Sequence, residues 1–401
     1  MAGDPFTDAQ RLLVLGAGPS QIGLLRAARA RGLFTIAVYR DPAGPGFRYA
    51  SRRAIFSSED ETAVERLADA ERVDGIVAPG TDWQVAIAAR VAHRLGLPHP
   101  ISPETGVLAT SKQRQRERFD QAGVPQPRWV VVPESLDEIA FPCVVKAPDR
   151  QGQKGLSYVR ERAELPAAVD AARGASRSGS VLVEELVPGP EVTVNGFSVD
   201  GEFVPLTVTD RQVAEPPAFG VALAHAFPSP HAPSAAEIAR RAVEALGIRE
   251  GPTYTQLRVG ARGPEVIEVA ARLGGGHDAE LVEAAVGIDE NGLALAAALG
   301  EHVTPSRVTN GYGPRVGGAA TRFLVAPPGV LESVDVPSDL EGVAWVRIYR
   351  GPGFVVSPLR RGPDRMGALL ALGATREEAL ARGDAAAERI RFVTADAQAL
   401  V

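Results

Sequence analysis

Residues Thr253–Gly276 read TYTQLRVGARGPEVIEVAARLGGG and carry the most informative pattern in the chain. Their apolar and β-branched residues predict two strands, Thr253–Val259 and Glu265–Val269, joined by a polar, glycine-containing turn. Each strand carries one side chain with an oxygen that can bind a metal ion, Gln256 in the first and Glu268 in the second. If the strands pair, we expect these two side chains to lie on one face of the sheet.

A cation follows this pair of oxygen ligands. Arg272 lies four residues after Glu268 and precedes a glycine run that contains Gly275. Mg²⁺ prefers oxygen ligands, and a phosphoryl group in transfer is stabilised by positive charge. The stretch therefore indicates a Mg²⁺–polyphosphate site, and the alternative is an ordinary hairpin with a buried glutamate.

The composition is typical of a globular protein. The chain has 401 residues, of which 45% are hydrophobic and 23% charged, with a net charge of −6. A negative chain has no general attraction to nucleic acid or anionic lipid, and no apolar run reaches the roughly 18–20 residues that span a bilayer. The single cysteine, Cys143, excludes an intrachain disulfide and suits a reducing compartment. We therefore expect a cytoplasmic protein without a signal peptide, a membrane contact or a nucleic-acid partner.

Strands and helices alternate near the N-terminus, where the apolar strands Arg11–Leu15 and Phe34–Tyr39 flank a helical stretch. This alternation predicts a parallel sheet with crossover helices. The glycine turn after the first strand departs from the dinucleotide-binding pattern, because Gln21 stands where that pattern has its third glycine. Arg40 could meet the extra phosphate of NADP, so an NADP-dependent oxidoreductase stays an alternative. Otherwise the turn is a tight connection whose helix N-terminus can meet an anion.

Two lysines and a glycine loop suit a bound phosphate chain. Lys112 begins a predicted helix, where most lysines are solvated. Lys146 ends the apolar strand Cys143–Lys146 and either projects into a cleft as a point charge or lies at the edge of the sheet with its stem buried. The loop after it contains Gly152 and Gly155, whose backbone N–H groups can cradle phosphates.

An extended acidic segment comes next. One strand ends in Glu184 and Glu185, and after Val187 a proline-flanked glycine bends the chain toward Glu191. An extended backbone can contact an adenine edge, and a carboxylate beyond the bend can bind ribose hydroxyls. The alternative is a surface hairpin with solvated acids.

Further polar residues are candidates for substrate contacts. His225 and His277 are each either a substrate contact or a structural histidine. Asp82 and Trp83 follow a strand end that faces the expected crevice, and the alternative is that Thr81 or Asp82 caps the next helix.

The order of these motifs resembles the ATP-grasp superfamily, and within it the carboxylate–amine ligases of the L-amino acid ligase type. The resemblance runs from Gly16 to the C-terminal region; it is most specific at Val181–Val194 and Glu265–Gly276 and looser at Gly353 and Arg365–Glu378. It implies an α/β ATP-grasp architecture. The implied parts are an N-terminal parallel αβ domain, a central and C-terminal α+β nucleotide-binding domain, and a C-terminal lid.

The resemblance also implies the domain boundaries. A Rossmann-like pre-ATP-grasp domain would span residues 1–110, the small or lid subdomain 111–190, the large subdomain 191–310 and a C-terminal cap 311–401.

Site residues follow from the same resemblance. The lysines would bind the nucleotide phosphates under the glycine loop, the acidic segment would hold adenine and ribose, and the arginine would stabilise an acyl phosphate and the tetrahedral intermediate. The nucleotide-binding residues would be Lys112, Lys146, Gly152, Gly155, Glu184, Glu185, Val187 and Glu191. The remaining roles would fall to Gln256 and Glu268 for metal, Arg272 and Lys146 for catalysis, and His225, Arg272, Gly275 and His277 for the substrate.

Two positions depart from the family pattern. Gln256 stands where many members have glutamate, which removes one carboxylate and should weaken Mg²⁺ at that position. Ala270 stands where many members have asparagine, and amino acid ligases often have a small residue there.

The predicted activity is ATP-dependent amide formation between a carboxylate, best an amino acid, and an amine, through an acyl phosphate. ATP and Mg²⁺, with Mn²⁺ as an alternative cation, are the implied cofactors, and a homodimer is left open. The alternatives are a purine-biosynthesis or carboxylase-like enzyme that uses bicarbonate or formate, the NADP-dependent oxidoreductase, and a nucleotide-binding protein without turnover.

Overall fold

The computed structural model describes residues 9–132, 139–309 and 313–395. Between the predicted strands Val130–Val132 and Cys143–Ala147 the sequence predicts an acidic helix, which lies largely at 133–138, outside the described residues.

A parallel sheet and the helices around it form the N-terminal region. The sheet has the order β3–β2–β1–β4, and its two central strands are almost fully buried because they are apolar along their whole length. The predicted parallel arrangement is confirmed. The elements are β1 (Arg11–Leu15), α1 (Ile22–Ala30), β2 (Phe34–Val38), β3 (Arg52–Ala54), α2 (Glu61–Glu71), β4 (Gly75–Val77), α3 (Asp82–Leu95), α4 (Pro103–Ala109) and α5 (Lys112–Ala122).

A small antiparallel sheet follows, with the order β5–β8–β6–β7. Its central strands β6 and β8 pair so that Val144 lies opposite Glu184 and Lys146 opposite Leu182. This register places the lysine and the glutamate on the same face of the sheet, two positions apart. The elements are β5 (Trp129–Val131), β6 (Cys143–Lys146), β7 (Leu156–Val159), α6 (Leu165–Ala175) and β8 (Leu182–Glu185).

An eight-stranded antiparallel sheet, in the order β13–β12–β9–β10–β11–β14–β18–β16, forms the largest layer. In it Gln256 of β12 lies directly opposite Glu268 of β13, just before a bulge, which confirms the predicted pairing of the two oxygen side chains. The elements up to residue 309 are β9 (Glu191–Val199), β10 (Glu202–Val213), β11 (Ala222–Phe227), α7 (Ala232–Ala245), β12 (Gly251–Gly260), β13 (Gly263–Ala270), α8 (Asp278–Val286), α9 (Glu290–Ala298) and α10 (Pro305–Thr309).

The C-terminal region contributes strands to that same sheet. Strands β14, β16 and β18 extend the sheet, whereas β15, β17 and β19 form a separate three-stranded sheet. The sequence after Gly311 predicts two or three strands and then a helix at Arg376–Arg389; the helix is confirmed, and the described residues form five strands before it. The elements are β14 (Gly318–Leu324), β15 (Gly329–Asp335), β16 (Val343–Ile348), β17 (Val355–Val356), β18 (Gly367–Gly373), α11 (Arg376–Arg389) and β19 (Arg391–Ala395).

Candidate active site

A cleft of about 120 Å³ lies between the small sheet and the eight-stranded sheet. Most of the residues predicted to bind the nucleotide or the metal line it, although they are far apart in the chain. These lining residues are Lys112, Lys146, Gly152, Glu184, Glu185, Val187, Glu191, Gln256 and Glu268.

Glu184 is held between two cations on the cleft wall. Lys146 Nζ lies 2.5 Å from one carboxylate oxygen and Arg116 Nε lies 2.7 Å from the other. Burial lowers the pKa of Lys146 to about 8, although the negative charge of Glu184 acts to raise it. Burial would raise the pKa of Glu184, but Arg116 and Lys146 keep it below its ordinary value. The acid therefore fixes the position of the lysine ammonium, and its contact with adenine stays a prediction.

Lys112 and Glu268 form a second ion pair beside the first. Their Nζ and Oε2 atoms are 2.8 Å apart. Burial alone would raise the pKa of Glu268, but Lys112, Lys146 and Arg272 lower it to about 2. Burial likewise opposes the charge of Lys112, yet Glu268 and Asp82 raise the lysine pKa above its ordinary value. Both groups are thus charged at neutral pH.

Glu191 and Gln256 complete the polar lining. Glu191 Oε1 accepts hydrogen bonds from Arg211 and, at 2.5 Å, from Gln256 Nε2. Among the described residues, none hydrogen-bonds the other amide atom, Gln256 Oε1. The ribose contact of Glu191 stays a prediction, since Arg211 is its nearest partner here.

The donor set fits Mg²⁺ only together with phosphate oxygens. Within the described ranges, no three or more Asp, Glu, His or Cys side chains are grouped to hold a metal ion on their own. Mg²⁺ commonly takes one or two carboxylates and completes its shell with water and substrate phosphates. Glu268, with Gln256 at the opposite register position, suits that pattern.

The glycine loop between β6 and β7 is tied to other parts of the molecule. Gln151 Oε1 accepts the backbone N–H of Asp82 at 2.6 Å, and Lys112 Nζ donates to the carbonyl of Arg150 at 3.0 Å. Gly152 lines the cleft with φ +65°. Gly155 does not line it: a Cβ there would lie 2.6 Å from Ala175, and its φ is +72°. The turn and the close packing require that glycine.

Arg272 lies beside the nucleotide cleft rather than in its wall. Its Nε is 2.6 Å from Asp82 Oδ1. Asp82, Lys112 and Glu268 together line a charged cavity of about 170 Å³ that adjoins the cleft. Asp82 therefore lies in a crevice, as expected from the sequence, and its side chain binds Arg272. Gly275 is partly exposed, and a Cβ added there would lie 3.7 Å from the carbonyl oxygen of Gly80.

The two histidines differ in their surroundings. His277 is buried, with Nε2 2.6 Å from Tyr349 Oη and Nδ1 2.9 Å from Arg347. Both ring nitrogens therefore have hydrogen-bond partners within the protein, and the substrate role of His277 stays a prediction. His225 is also buried, and within the described residues its ring has one hydrogen-bond partner, Asp278.

The first glycine turn is filled by its own side chain. Gln21 Oε1 accepts the Gly18 N–H at 2.9 Å, and Gln21 Nε2 donates to the Pro79 carbonyl at 2.6 Å. A Cβ at Gly16 would lie 2.7 Å from Gln21. A dinucleotide pyrophosphate would need the space and the Gly18 N–H that Gln21 occupies. The alternative of an NADP-dependent oxidoreductase is therefore wrong.

Three residues of the site were missed from the sequence. Arg116 looks like any solvated arginine in a charged helix, although it is fully buried. Arg211 belongs to no recognisable motif. For Asp278 the only signal in the sequence is its position shortly after the glycine run.

Comparisons with known proteins agree with this arrangement. Residues 139–280 match the ATP-grasp domain, and residues 322–395 match the L-amino acid ligase C-terminal domain 2. The formate-dependent phosphoribosylglycinamide formyltransferase of Burkholderia thailandensis is 31% identical over 424 residues, which cover 98% of each chain.

Solved structures share the fold. The L-amino acid ligase of Bacillus licheniformis has a TM-score of 0.82 at 23% identity and covers 96% of this chain and 99% of its own. The biotin carboxylase domain of the Hydrogenobacter thermophilus 2-oxoglutarate carboxylase, a dimer in complex with MgADP, ADP and bicarbonate, has a TM-score of 0.79 at 19% identity and covers 96% and 90%.

The chain belongs to the ATP-grasp superfamily, whose members use ATP and Mg²⁺. It is an ADP-forming carboxylate–amine ligase, and its last domain is of the L-amino acid ligase type. Both the predicted family and the predicted fold class are confirmed. Across the part of the chain that the structure describes, no helix combines the length and the apolar character that a membrane span needs.

Proposed function

We propose that this protein joins an amino acid carboxylate to an amine, with an acyl phosphate as the intermediate. One observation carries the proposal: Lys112, Lys146 and Glu268 line a single cleft, and the charge of Arg272 acts on Glu268 from its edge. Those groups are what transfer of the terminal phosphoryl group to a carboxylate needs.

The chemistry has two steps. A carboxylate oxygen attacks the γ-phosphorus, and the bond from that phosphorus to the bridging oxygen of ADP breaks. The amine then forms a C–N bond at the acyl carbon, and the C–O bond to phosphate breaks. When bound, Mg²⁺ would neutralise phosphate charge at Glu268 and Gln256. Lys146, which is buried, and Arg272 supply fixed positive charge, which is the main contribution such a protein makes.

The choice of an amino acid rests on the last domain. Its match to the L-amino acid ligase C-terminal domain 2 spans residues 322–395, and β14 and β18 of this segment extend the sheet that carries Glu191 and Gln256. The segment is therefore part of the same sheet as these two cleft residues.

ADP release over a matrix of amino acids and amines tests the proposal. We expect ADP only when both a carboxylate and an amine are present, and a loss of several orders of magnitude in Glu268→Ala because the metal loses its one carboxylate ligand. Glu237→Ala, an exposed glutamate on α7, is the matched control and should retain the rate. Unchanged turnover in Glu268→Ala would remove the metal assignment.

A second candidate is a formate-using enzyme of purine biosynthesis. It is favoured by the 31% identity to the Burkholderia thailandensis formyltransferase over 98% of the chain. ADP release that requires formate and a ribosyl-phosphate amine, and that no amino acid supports, would select it over the amino acid ligase.

Further parts of the proposal concern cation, assembly and location. We expect Mn²⁺ to replace Mg²⁺ with reduced activity, since both accept oxygen ligands. Small-molecule carboxylates and amines are the proposed partners, the chain is proposed to act in the cytoplasm, and sedimentation would decide whether it is a homodimer.

A further inference from the structure

His225 and Asp278 form a buried pair under the glycine run. His225 Nδ1 lies 2.7 Å from Asp278 Oδ1, and Asp278 Oδ2 accepts the backbone N–H of Gly276 at 2.8 Å. Asp278 is fully buried. Burial would raise its pKa, but His225, the Gly276 N–H and Arg272 lower it below the ordinary value.

An ionised Asp278 fixes the tautomer of the histidine. A carboxylate only accepts hydrogen bonds, so the proton must sit on Nδ1 of His225. Nε2 then carries the lone pair. No residue in the ranges 9–132, 139–309 and 313–395 hydrogen-bonds Nε2, in contrast to His277, whose two nitrogens are both taken.

The glycine run exists because this pair fills the space beside it. A Cβ at Gly274 would lie 2.2 Å from Asp278 Oδ2, and one at Gly276 would lie 2.9 Å from His225 Cε1. The backbone at Gly276 therefore passes close to Cε1 of the imidazole, the ring atom between the two nitrogens. The glycine between them, Gly275, is the partly exposed one.

The pair also lies next to the predicted reaction centre. His225 of β11 is the register partner of Arg211 on β10, and Arg211 lines the nucleotide cleft. Neighbouring strands are about 4.8 Å apart, so the two side chains share one face of the sheet. The positive charge of Arg272 lowers the pKa of both Glu268 and Asp278.

We propose that His225 is the general base that accepts a proton from the attacking amine, and that Asp278 is the residue that positions it. This inference rests on the proposed function. The amine nitrogen forms the C–N bond with the acyl carbon, its proton moves to His225 Nε2, and the C–O bond to phosphate breaks. The imidazolium is stabilised by Asp278 and returns the proton to solvent or to the released phosphate.

The test separates formation of the acyl phosphate from its aminolysis. Hydroxylamine is largely unprotonated at neutral pH, so it traps an acyl phosphate as a hydroxamate without needing a base, whereas an alkylamine must lose a proton. Wild type and Asp278→Asn are compared with each nucleophile, using the full chain with Mg²⁺, ATP and the best amino acid. Asp289→Asn, the same change at the exposed N-cap of α9, is the matched control.

We expect Asp278→Asn to lose about 10²-fold in alkylamine-dependent product, the typical contribution of a general base, and less than about threefold in hydroxamate. His225→Asn should show the same split. The ratio of the two products does not depend on the folded fraction, so a partly unfolded variant still gives an answer. Equal losses with both nucleophiles, or no loss with either, would overturn the assignment of His225 as the general base. Absence of hydroxamate in wild type would instead count against the acyl phosphate itself.

Discussion

Two glycine-rich turns in this molecule look alike in sequence and serve different purposes. In the first, Gly16 is required because Gln21 occupies the space of a Cβ at 2.7 Å. In the second, Gly274 is required because Asp278 lies 2.2 Å from the same position. Both turns are therefore closely filled by a neighbouring polar side chain.

The difference is what the filling side chain leaves free. Gln21 uses both ends of its amide on Gly18 and Pro79, so its own side chain is not free for a ligand. Asp278 instead holds His225, whose other nitrogen has no hydrogen-bond partner in the described chain. A glycine turn thus predicts close approach, and only the chemistry of the filling residue decides between structure and function.

Gly274→Ala should give the largest effect on activity. The added Cβ would overlap the side chain of the fully buried Asp278, so the acid must move and release His225. We expect amide formation to fall at least about 10²-fold, measured as product per folded enzyme, with the hydroxamate rate retained. A loss of both in equal proportion would show that the turn matters only for folding.

Gln21→Ala should have its main effect on stability. It leaves the buried Gly18 N–H and Pro79 carbonyl without partners, at a cost of about 3 kcal/mol in the free energy of unfolding. Denaturant unfolding measures this. Because both hydrogen bonds of the Gln21 amide are made within the protein, kcat/KM of the remaining folded enzyme should match wild type, and a selective rise in KM for either substrate would contradict the comparison.

The affinity for ATP should depend on pH through Lys146. Its pKa of about 8 lies below the ordinary value of 10.5, so the ammonium loses its proton as the pH rises through 8. We expect the Kd for ATP to weaken by about tenfold per pH unit above that value, measured by titration from neutral pH upward. Lys146→Arg keeps its charge and should flatten the profile. A flat wild-type profile would contradict the burial of this charge.

Gly275→Ala should have the smallest effect on stability. The nearest atom to the added Cβ is the Gly80 carbonyl oxygen at 3.7 Å, an ordinary contact. We expect a change below about 1 kcal/mol in the free energy of unfolding and a modest rise in KM for the amine. A large stability loss would show that the middle of this run is as closely packed as its ends.

The sequence predicts local patterns well in this chain. Hydrophobic alternation located the β12–β13 hairpin and the pairing of Gln256 with Glu268, because one buried face sets the register. The family resemblance then supplied most of the cleft residues.

Long-range charge pairing could not be predicted. Arg116 and Glu184 are far apart in the chain, and only the tertiary fold shows that they meet at 2.7 Å. The same holds for His277, whose ring nitrogens contact Arg347 of β16 and Tyr349 just after it. A single sequence states which residues are charged and leaves open which of them share a buried site.

The most direct test of the central claim follows the oxygen of the carboxylate. An amino acid labelled with ¹⁸O in its carboxylate is incubated with the enzyme, Mg²⁺, ATP and the best amine, and the released phosphate is analysed by mass spectrometry. If Lys146, Glu268 and Arg272 direct phosphoryl transfer to the carboxylate, one labelled oxygen should appear in phosphate for each amide formed. Unlabelled phosphate alongside amide product would contradict an acyl phosphate in this cleft.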